Sequence, residues 1–237
     1  MVHQWRRTFE LQAHGRGTAG ELSMRIGIVG TGGMATALGA QWARAGHEVI
    51  VGGRDAARAA ATAARIGARP GTVREAVVHG DGAVLLAVPY AAAEELAAFH
   101  ARELAGRTVL DPTNAVVPGF TLATGTGPSV AERIAAAAPG AHVVKAFNLC
   151  HESVWHLRPP VFDGRPLAVP LCGDDAHALA TARHLVRDLG CHPLAAGPLA
   201  RAHLLEATAA LLIGLWLGEH ADAQAIAPPL THAGVPA

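Results

Sequence analysis

A doubly wound parallel α/β sheet is the fold class the sequence predicts, on three observations. Short apolar strands alternate with helix-patterned segments along most of the 237 residues. The first strand, Arg25-Ile26-Gly27-Ile28-Val29, runs into a glycine loop that opens a helix, Gly30-Thr31-Gly32-Gly33-Met34-Ala35. Hydrophobic residues make up 51% of the chain, enough for a sizeable core. Together these predict a Rossmann-type sheet with a small C-terminal α/β or helical part.

The elements follow in order. A strand at about 25 to 30 leads to a helix at 33 to 45, closed by Gly46. A second strand spans 48 to 52, and a helix from 55 to 66 stops at Gly67, with Asp55 as its N-cap. A short strand near 68 to 70 and a helix at 72 to 79 come next. Ala83 to Val88 is a strand ended by Pro89, followed by a helix at 91 to 105 and a strand at 108 to 110. Ser129-Val130-Ala131-Glu132 is a capping box that starts a helix running to Ala138, before Pro139-Gly140. Ala141 to Phe147 and Leu167 to Leu171 are strands. Asp174 and Asp175 open a helix that ends at Gly190; His192 to Ala195 is a strand, and Leu199 to Glu219 a long apolar helix.

Four parts are expected. Residues 1 to 23 form a flexible extension, polar and without the apolar centre of a signal peptide. Met24 directly precedes the first strand, so the extension is either a disordered arm or the product of an upstream start codon. Residues 24 to 150 form the dinucleotide-binding domain, 151 to 220 a smaller domain, and 221 to 237 a tail or dimer contact.

Composition narrows the function. Lys plus Arg and Asp plus Glu number 19 each, and there is no basic run, so neither nucleic acid nor a membrane surface is an expected partner. No stretch of 18 apolar residues occurs; the longest run, Ala207 to Leu217, is too short to cross a bilayer. Cys150, Cys172 and Cys191 lack metal-type spacing and suit a reducing cytosol, so a cytoplasmic location and no metal are expected.

The glycine loop has the form G-x-G-x-x-A. Gly30 permits the tight exit from the strand, Gly32 lets a pyrophosphate approach the backbone, and Ala35 lets the helix pack close to the sheet. The helix N-terminus offers free N–H groups to phosphate. The end of the second strand then selects the cofactor. Where an NAD enzyme places a carboxylate for the ribose 2′-OH, this chain has Gly52-Gly53-Arg54. Arg54 offers a fork of donors to a 2′-phosphate, and Arg58 lies one helical turn on. NADP(H) is the expected cofactor.

Ligands in such sheets bind beyond the carboxyl ends of the strands. That rule nominates Ala87-Val88-Pro89-Tyr90, Asp111-Pro112-Thr113-Asn114 and Ala146-Phe147-Asn148. Tyr90 either stacks near adenine, shields the nicotinamide or packs under its loop. Asn114 and Asn148 either bond the carboxamide or ribose, or serve as turn residues. The expected cofactor-binding set is therefore Gly30, Thr31, Gly32, Gly33, Met34, Ala35, Gly53, Arg54, Arg58, Ala87, Val88, Pro89, Tyr90, Asn114, Ala146 and Asn148. Lys145, the only lysine, pairs with a carboxylate or contacts substrate. Cys150-His151-Glu152 is expected to have no covalent role, because three adjacent side chains cannot converge. Cys172 beside Asp174-Asp175 is expected to be a buried residue next to a cap rather than a nucleophile.

These pieces together resemble the F420-dependent NADP oxidoreductases. The resemblance covers about residues 24 to 220. It rests on the glycine loop, Gly46-His47-Glu48-Val49-Ile50-Val51-Gly52-Gly53-Arg54, Val84-Leu85-Leu86-Ala87-Val88-Pro89 and Val143-Val144-Lys145-Ala146-Phe147-Asn148. Later matches are Val169-Pro170-Leu171-Cys172-Gly173-Asp174-Asp175 and Ala196-Gly197-Pro198-Leu199, with Arg201, Leu205 and Glu206. The Val-Lys-Ala-Phe-Asn run is also similar to the cytosolic reductase domain of six-transmembrane metalloreductases. The resemblance implies hydride transfer between NADP(H) and coenzyme F420 as second substrate, with no obligatory acid or base. It implies that Thr31, Arg54 and Arg58 hold the 2′-phosphate, and that the loop after Pro89 and the segment from Asn148 wall the nicotinamide site. Gly53 departs from a serine frequent in the family, and Asn148 from a histidine found in some members. Two alternatives remain: an NADPH-dependent reductase of a small imine or carbonyl compound, with Tyr90, His151 or His203 as proton donor, and a non-enzymatic NADP(H) sensor. The apolar last helix implies a homodimer.

Overall fold

The computed structural model describes residues 23–222 and Ile226. The expected extension and tail, apart from Ser23, Ala221, Asp222 and Ile226, lie outside the described residues. One eight-stranded sheet organises the chain. Its strands are β1 (Arg25–Val29), β2 (Glu48–Gly52), β3 (Arg69–Gly71), β4 (Ala83–Leu86), β5 (Thr108–Asp111), β6 (His142–Lys145), β7 (Ala168–Gly173) and β8 (His192–Gly197), in the order β8-β7-β6-β5-β4-β1-β2-β3. Helices cover both faces: α1 (Gly33–Arg44), α2 (Ala56–Ile66), α3 (Val73–His79), α4 (Tyr90–Phe99), α5 (Val130–Ala137), α6 (Ala176–Asp188) and α7 (Ala202–Ile213).

Strand alternation builds two cores. Ile26, Ile28, Ala83 and Leu85 join one cluster with Leu38 and Trp42 of α1 and Leu185 of α6. Val29, Val84 and Leu86 join the other, with Val77, Ala93, Ala97, Ile134 and Leu205. This is the two-residue period of a pleated strand buried on both faces. Gly27 makes the second layer thin, since a Cβ there would lie 1.9 Å from the Ala76 carbonyl oxygen. The indole of Trp42 donates to the Leu185 carbonyl at 3.1 Å, which locks α6 to α1. Nearby, Asp188 lies 2.9 Å from His47 and 3.6 Å from His184.

The expected caps form. Asp55 accepts the Arg58 N–H, Asp175 accepts the Ala178 N–H, and Ser129 with Glu132 makes a reciprocal capping box. Four expectations are corrected. The sheet is not wholly parallel, because β7 runs antiparallel to β6. The chain between them holds a 3₁₀ turn (Glu152–His156) and a small hairpin (Val161–Phe162 with Arg165–Pro166) but no crossover helix, and a parallel return needs one. The strand before Pro89 stops at Leu86, which frees Ala87 and Val88 for the loop. The strand before Asn148 stops at Lys145; Phe147 takes a left-handed conformation (φ 62°) with its ring edge-on to Trp42 and Trp155. The helix expected over 91 to 105 breaks at buried His100, leaving a separate turn, Ala101–Leu104. A hairpin at Val116–Val117 and Thr121–Leu122 carries no strong pattern in the sequence.

The last helix is continuous over Leu199–Gly218, as a 3₁₀ turn, α7 and a π segment. By length and composition its 20 residues, of mean hydropathy 1.3, are long and apolar enough to cross a membrane, and 33% of that window is buried in the fold. Its inner face is seated by a charge. The Glu206 carboxylate, with no exposure, accepts from Lys145 Nζ at 2.8 Å and from the Val130 N–H at 3.0 Å. Lys145 also donates to Asp111 at 2.9 Å and to the Thr113 carbonyl, so all three ammonium protons are used. The second oxygen of Asp111 accepts the Thr113 N–H at 2.8 Å.

Replacing one member leaves the others buried and uncompensated, at a cost of about 3–5 kcal/mol. Lys145→Met is therefore expected to lower Tm by roughly 6–20 °C for a chain of this size, measured by calorimetry. A change within about 1 °C would contradict the buried triad.

Candidate dinucleotide site

Strand order reverses between the paired strands β1 and β4, which in such sheets places a crevice beyond the carboxyl ends of the strands. A cavity of about 790 Å³ occupies that place. Its floor is the glycine loop. Gly30 has φ 126°, and a Cβ on it would lie 2.0 Å from the Ala87 carbonyl oxygen, so only glycine fits between β1 and β4. Its N–H donates to the Gly52 carbonyl at 2.8 Å, tying the loop to β2. Gly32 is the N-cap of α1, and a Cβ built on it meets nothing within 4 Å. Beyond this backbone there is open space at a helix N-terminus, which is what a diphosphate requires. The residues present therefore fit a dinucleotide.

The second wall is the end of β2. Gly53, Arg54 and Arg58 line the cavity with Thr31. Arg54 is exposed and has no ion-pair partner among the described residues. Arg58 lies 3.7 Å from Asp55, whose other oxygen caps α2, so the nearest carboxylate is committed to the helix. The departure at Gly53 has a steric cause: a Cβ there would lie 2.9 Å from the Thr31 methyl. Thr31 fills the volume that a serine at 53 would need.

The third wall is the loop Ala87-Val88-Pro89 and one face of α4. That face is Ala92, Glu95, Leu96, Phe99 and His100, spaced i, i+3, i+4, i+7 and i+8. The sequence reading missed it. The signal was the helical spacing of Leu96 and Phe99 on a helix whose buried side is Ala93 and Ala97.

Of the expected set, Gly30, Thr31, Gly32, Gly53, Arg54, Arg58, Ala87, Val88 and Pro89 line this cavity. Seven residues do not. Gly33 is the first residue of α1 and is pressed by the Glu152 carboxylate, whose carbon lies 1.9 Å from where a Cβ would be. Met34 packs against the core cluster of α1, and Ala35 is fully buried within it. Tyr90 faces away from the groove, lining a separate pocket of about 130 Å³ with Glu94, Thr124 and Arg133. Ala146 is buried and donates its N–H to the Asp111 carbonyl at 3.1 Å. Asn114 and Asn148 bond to each other, Asn148 Nδ2 to Asn114 Oδ1 at 2.9 Å and Asn114 Nδ2 to the Asn148 carbonyl at 2.6 Å. Asn148 Nδ2 also donates to the Leu205 carbonyl, so the pair ties two strand ends to α7. Its Oδ1 is buried without a partner among the described residues.

The side chains that invite other chemistry are occupied elsewhere. His151 bonds Ser153 at 3.0 Å and His203 the Ala200 carbonyl at 2.7 Å. Burial pushes the Cys150 thiol up to about 11, and burial with the neighbouring Cys150 pushes Cys191 up to about 12. Burial also raises Cys172, outweighing the lowering effect of Arg201 and Lys145.

Residues 25–115, which carry the glycine loop, Arg54 and α4, match the model of the family described as NADP oxidoreductase, coenzyme F420-dependent. The chain is 31% identical over 192 residues to the metalloreductase STEAP3 of Rattus norvegicus. That match covers 81% of this chain and 38% of the relative, so the chain spans well under half of that protein's length. A protein of Arthrobacter sp. FB24, described as a candidate F420-dependent NADP reductase, has a crystal structure that superposes with a TM-score of 0.75 at 25% identity. The superposition covers 84% of this chain and 96% of that one. An imine reductase of Myxococcus stipitatus shares the fold alone, with 20% identity and a TM-score of 0.62 over 84% of this chain and 63% of that one. Over residues 25–115, the segment that contains the cradle, the chain thus resembles the NADP oxidoreductases described as coenzyme F420-dependent.

Proposed function

We propose that this protein transfers a hydride between NADP(H) and the deazaflavin coenzyme F420. One observation carries the cofactor half: two arginines and no free carboxylate stand at the end of β2, in the same cavity as the open backbone of Gly32. Arg54 and Arg58 would take the 2′-phosphate, and the N-terminus of α1 the diphosphate. When bound, the cofactor supplies a hydride donor or acceptor at its nicotinamide ring. The family description and the Arthrobacter neighbour support F420 as the second substrate. The arrangement of this chain's own groups agrees with it. Hydride transfer between two rings needs alignment and exclusion of water rather than an acid or base. Of the proton donors that the alternative reductase would use, Tyr90, His151 and His203 do not line the large cavity; its titratable side chains besides the two arginines are Glu95 and His100.

Three outcomes are expected. Arg54→Ala removes a charge-assisted contact worth about 1.5–3 kcal/mol, so KM for NADPH rises roughly 10- to 150-fold while that for NADH changes little. The assay is F420 absorbance, and equal effects on both cofactors would overturn the assignment. Turnover of an imine or carbonyl compound in place of F420 would move the second substrate to the alternative class. Gly32→Val adds its side chain to open space at an extended backbone position (φ −83°). Its thermal unfolding should match the parent protein, yet NADPH binding, followed by calorimetry, should be lost; retained binding would place the diphosphate elsewhere.

The thiols give the third outcome. Their protonated forms are favoured in the fold, so the native state holds protons that the unfolded chain loses above its ordinary thiol pKa of 9.0. The stability that Cys150 and Cys191 contribute is complete below pH 9 and is lost as pH rises towards 11 and 12. Denaturant midpoints should fall across that interval, and less in a Cys150→Ser, Cys191→Ala double variant; an identical slope in both would refute the assignment.

A further inference from the structure

The N-terminus of α1 has no capping side chain and no acidic residue in its own first turn. A carboxylate reaches it from the distant 3₁₀ turn. The three atoms that a Cβ on Gly33 would strike first all belong to the Glu152 carboxyl group, so the missing side chain at 33 is what admits it. Gly33 directly follows Gly32, which lines the cavity, so the carboxylate stands at the margin of the cradle. The turn that carries it is pinned from behind. Trp155 is buried, its ring edge-on to Phe147 at 5.4 Å, and Gln41 of α1 donates to the Trp155 and Leu157 carbonyls at 2.6 and 3.1 Å. The His151 ring caps the turn by accepting the Ser153 N–H at 3.3 Å. Glu152 itself is half-buried, and its carboxylate has neither a hydrogen bond nor an ion pair among the described residues. What favours it there is the field of the helix, whose N-terminus carries about half a positive charge.

We propose that Glu152 is an internal counter-anion for α1: its carboxylate neutralises the helix N-terminus in the free protein, turns aside when the diphosphate of the cofactor arrives, and so lowers affinity for the dinucleotide. The inference rests on the NADP(H) reading of the site and adds a residue that opposes binding. Charge requires the exchange. Carboxylate and diphosphate are both anions, and both are drawn to the same helix end. The side chain is able to leave, because the turn is held through Trp155 and backbone carbonyls rather than through Glu152. No hydrogen bond has to break when it does.

The test is calorimetric titration of the full chain with NADPH and, separately, with NADP+. Glu152→Gln keeps the size of the side chain and removes its charge. It should bind both cofactors about two- to fivefold more tightly than the parent protein, the effect of one charge at a helix terminus. Glu152→Ala should do the same, and both variants should unfold at nearly the parent's temperature. Unchanged or weaker binding of both cofactors would overturn the inference. Tightening by Glu152→Ala alone would make the effect one of bulk and overturn it too. Tighter NADPH with looser NADP+ would place the carboxylate against the nicotinamide ring, again overturning the competition. Arg54→Ala is the independent arm. If it weakens NADPH binding while Glu152→Gln changes nothing, this inference fails and the cofactor reading stands. If the parent protein fails to bind, or Arg54→Ala has no effect, the cofactor reading itself fails and this inference with it.

Discussion

The Lys145 ammonium, held between Asp111 and Glu206, is the interaction on which the rest of the structure depends. It joins the ends of two central strands, β5 and β6, to the last helix. Two carboxylates and one ammonium leave an excess of negative charge in a site with no exposure. Backbone donors meet that excess: the Thr113 N–H serves Asp111, and the Val130 N–H at the start of α5 serves Glu206. Such a knot adds little net stability over an apolar core, because desolvation offsets the attraction. It seats α7 on the strand ends, since Glu206 accepts from both Lys145 and the Val130 N–H. Asn148 continues the same work one step along, tying its segment to Asn114 and to the Leu205 carbonyl.

With the strand ends fixed, the crevice between β1 and β4 has a defined width. Gly30 sets it, because it lies against the Ala87 carbonyl where a side chain has no room. A cofactor can then be held by backbone at the floor and by side chains only at its edges. The electrostatics follow. The carboxylate that ends the loop after β2, Asp55, is spent on capping α2, and the two guanidinium groups face open solvent. The opposite wall is apolar, apart from Glu95 and His100, and ends in Phe99. One side of the cavity is thus basic and the other largely apolar.

Much of this was legible in the residues. Gly30, Gly32 and Arg54 announce themselves because their effect is local: a backbone turn, a missing side chain, a charge at a strand end. The caps at Asp55, Ser129 and Asp175 were legible for the same reason. Tyr90, Asn114 and Asn148 were harder. Their chain positions put them at strand ends, but which way each side chain turns is set by packing from distant segments. Tyr90 falls on the far side of α4, and the two asparagines bond to each other. Phe99 was missed because its helix was read only as a span of about 91 to 105, and which face of it meets the crevice is set by packing of Ala93 and Ala97 in the core.

By itself, then, the sequence determined the alternation of strands and helices, the open glycine loop at a helix N-terminus and the arginines at the end of β2. Each depends on neighbours within a few residues, where backbone geometry and charge are already specified. Only the tertiary structure decided the antiparallel turn of β7, the pairing of the sole lysine with carboxylates 34 and 61 residues away, and the face of α4 that lines the groove. Those outcomes follow from burial and from pairing buried charges across distant segments, which no stretch of chain settles alone.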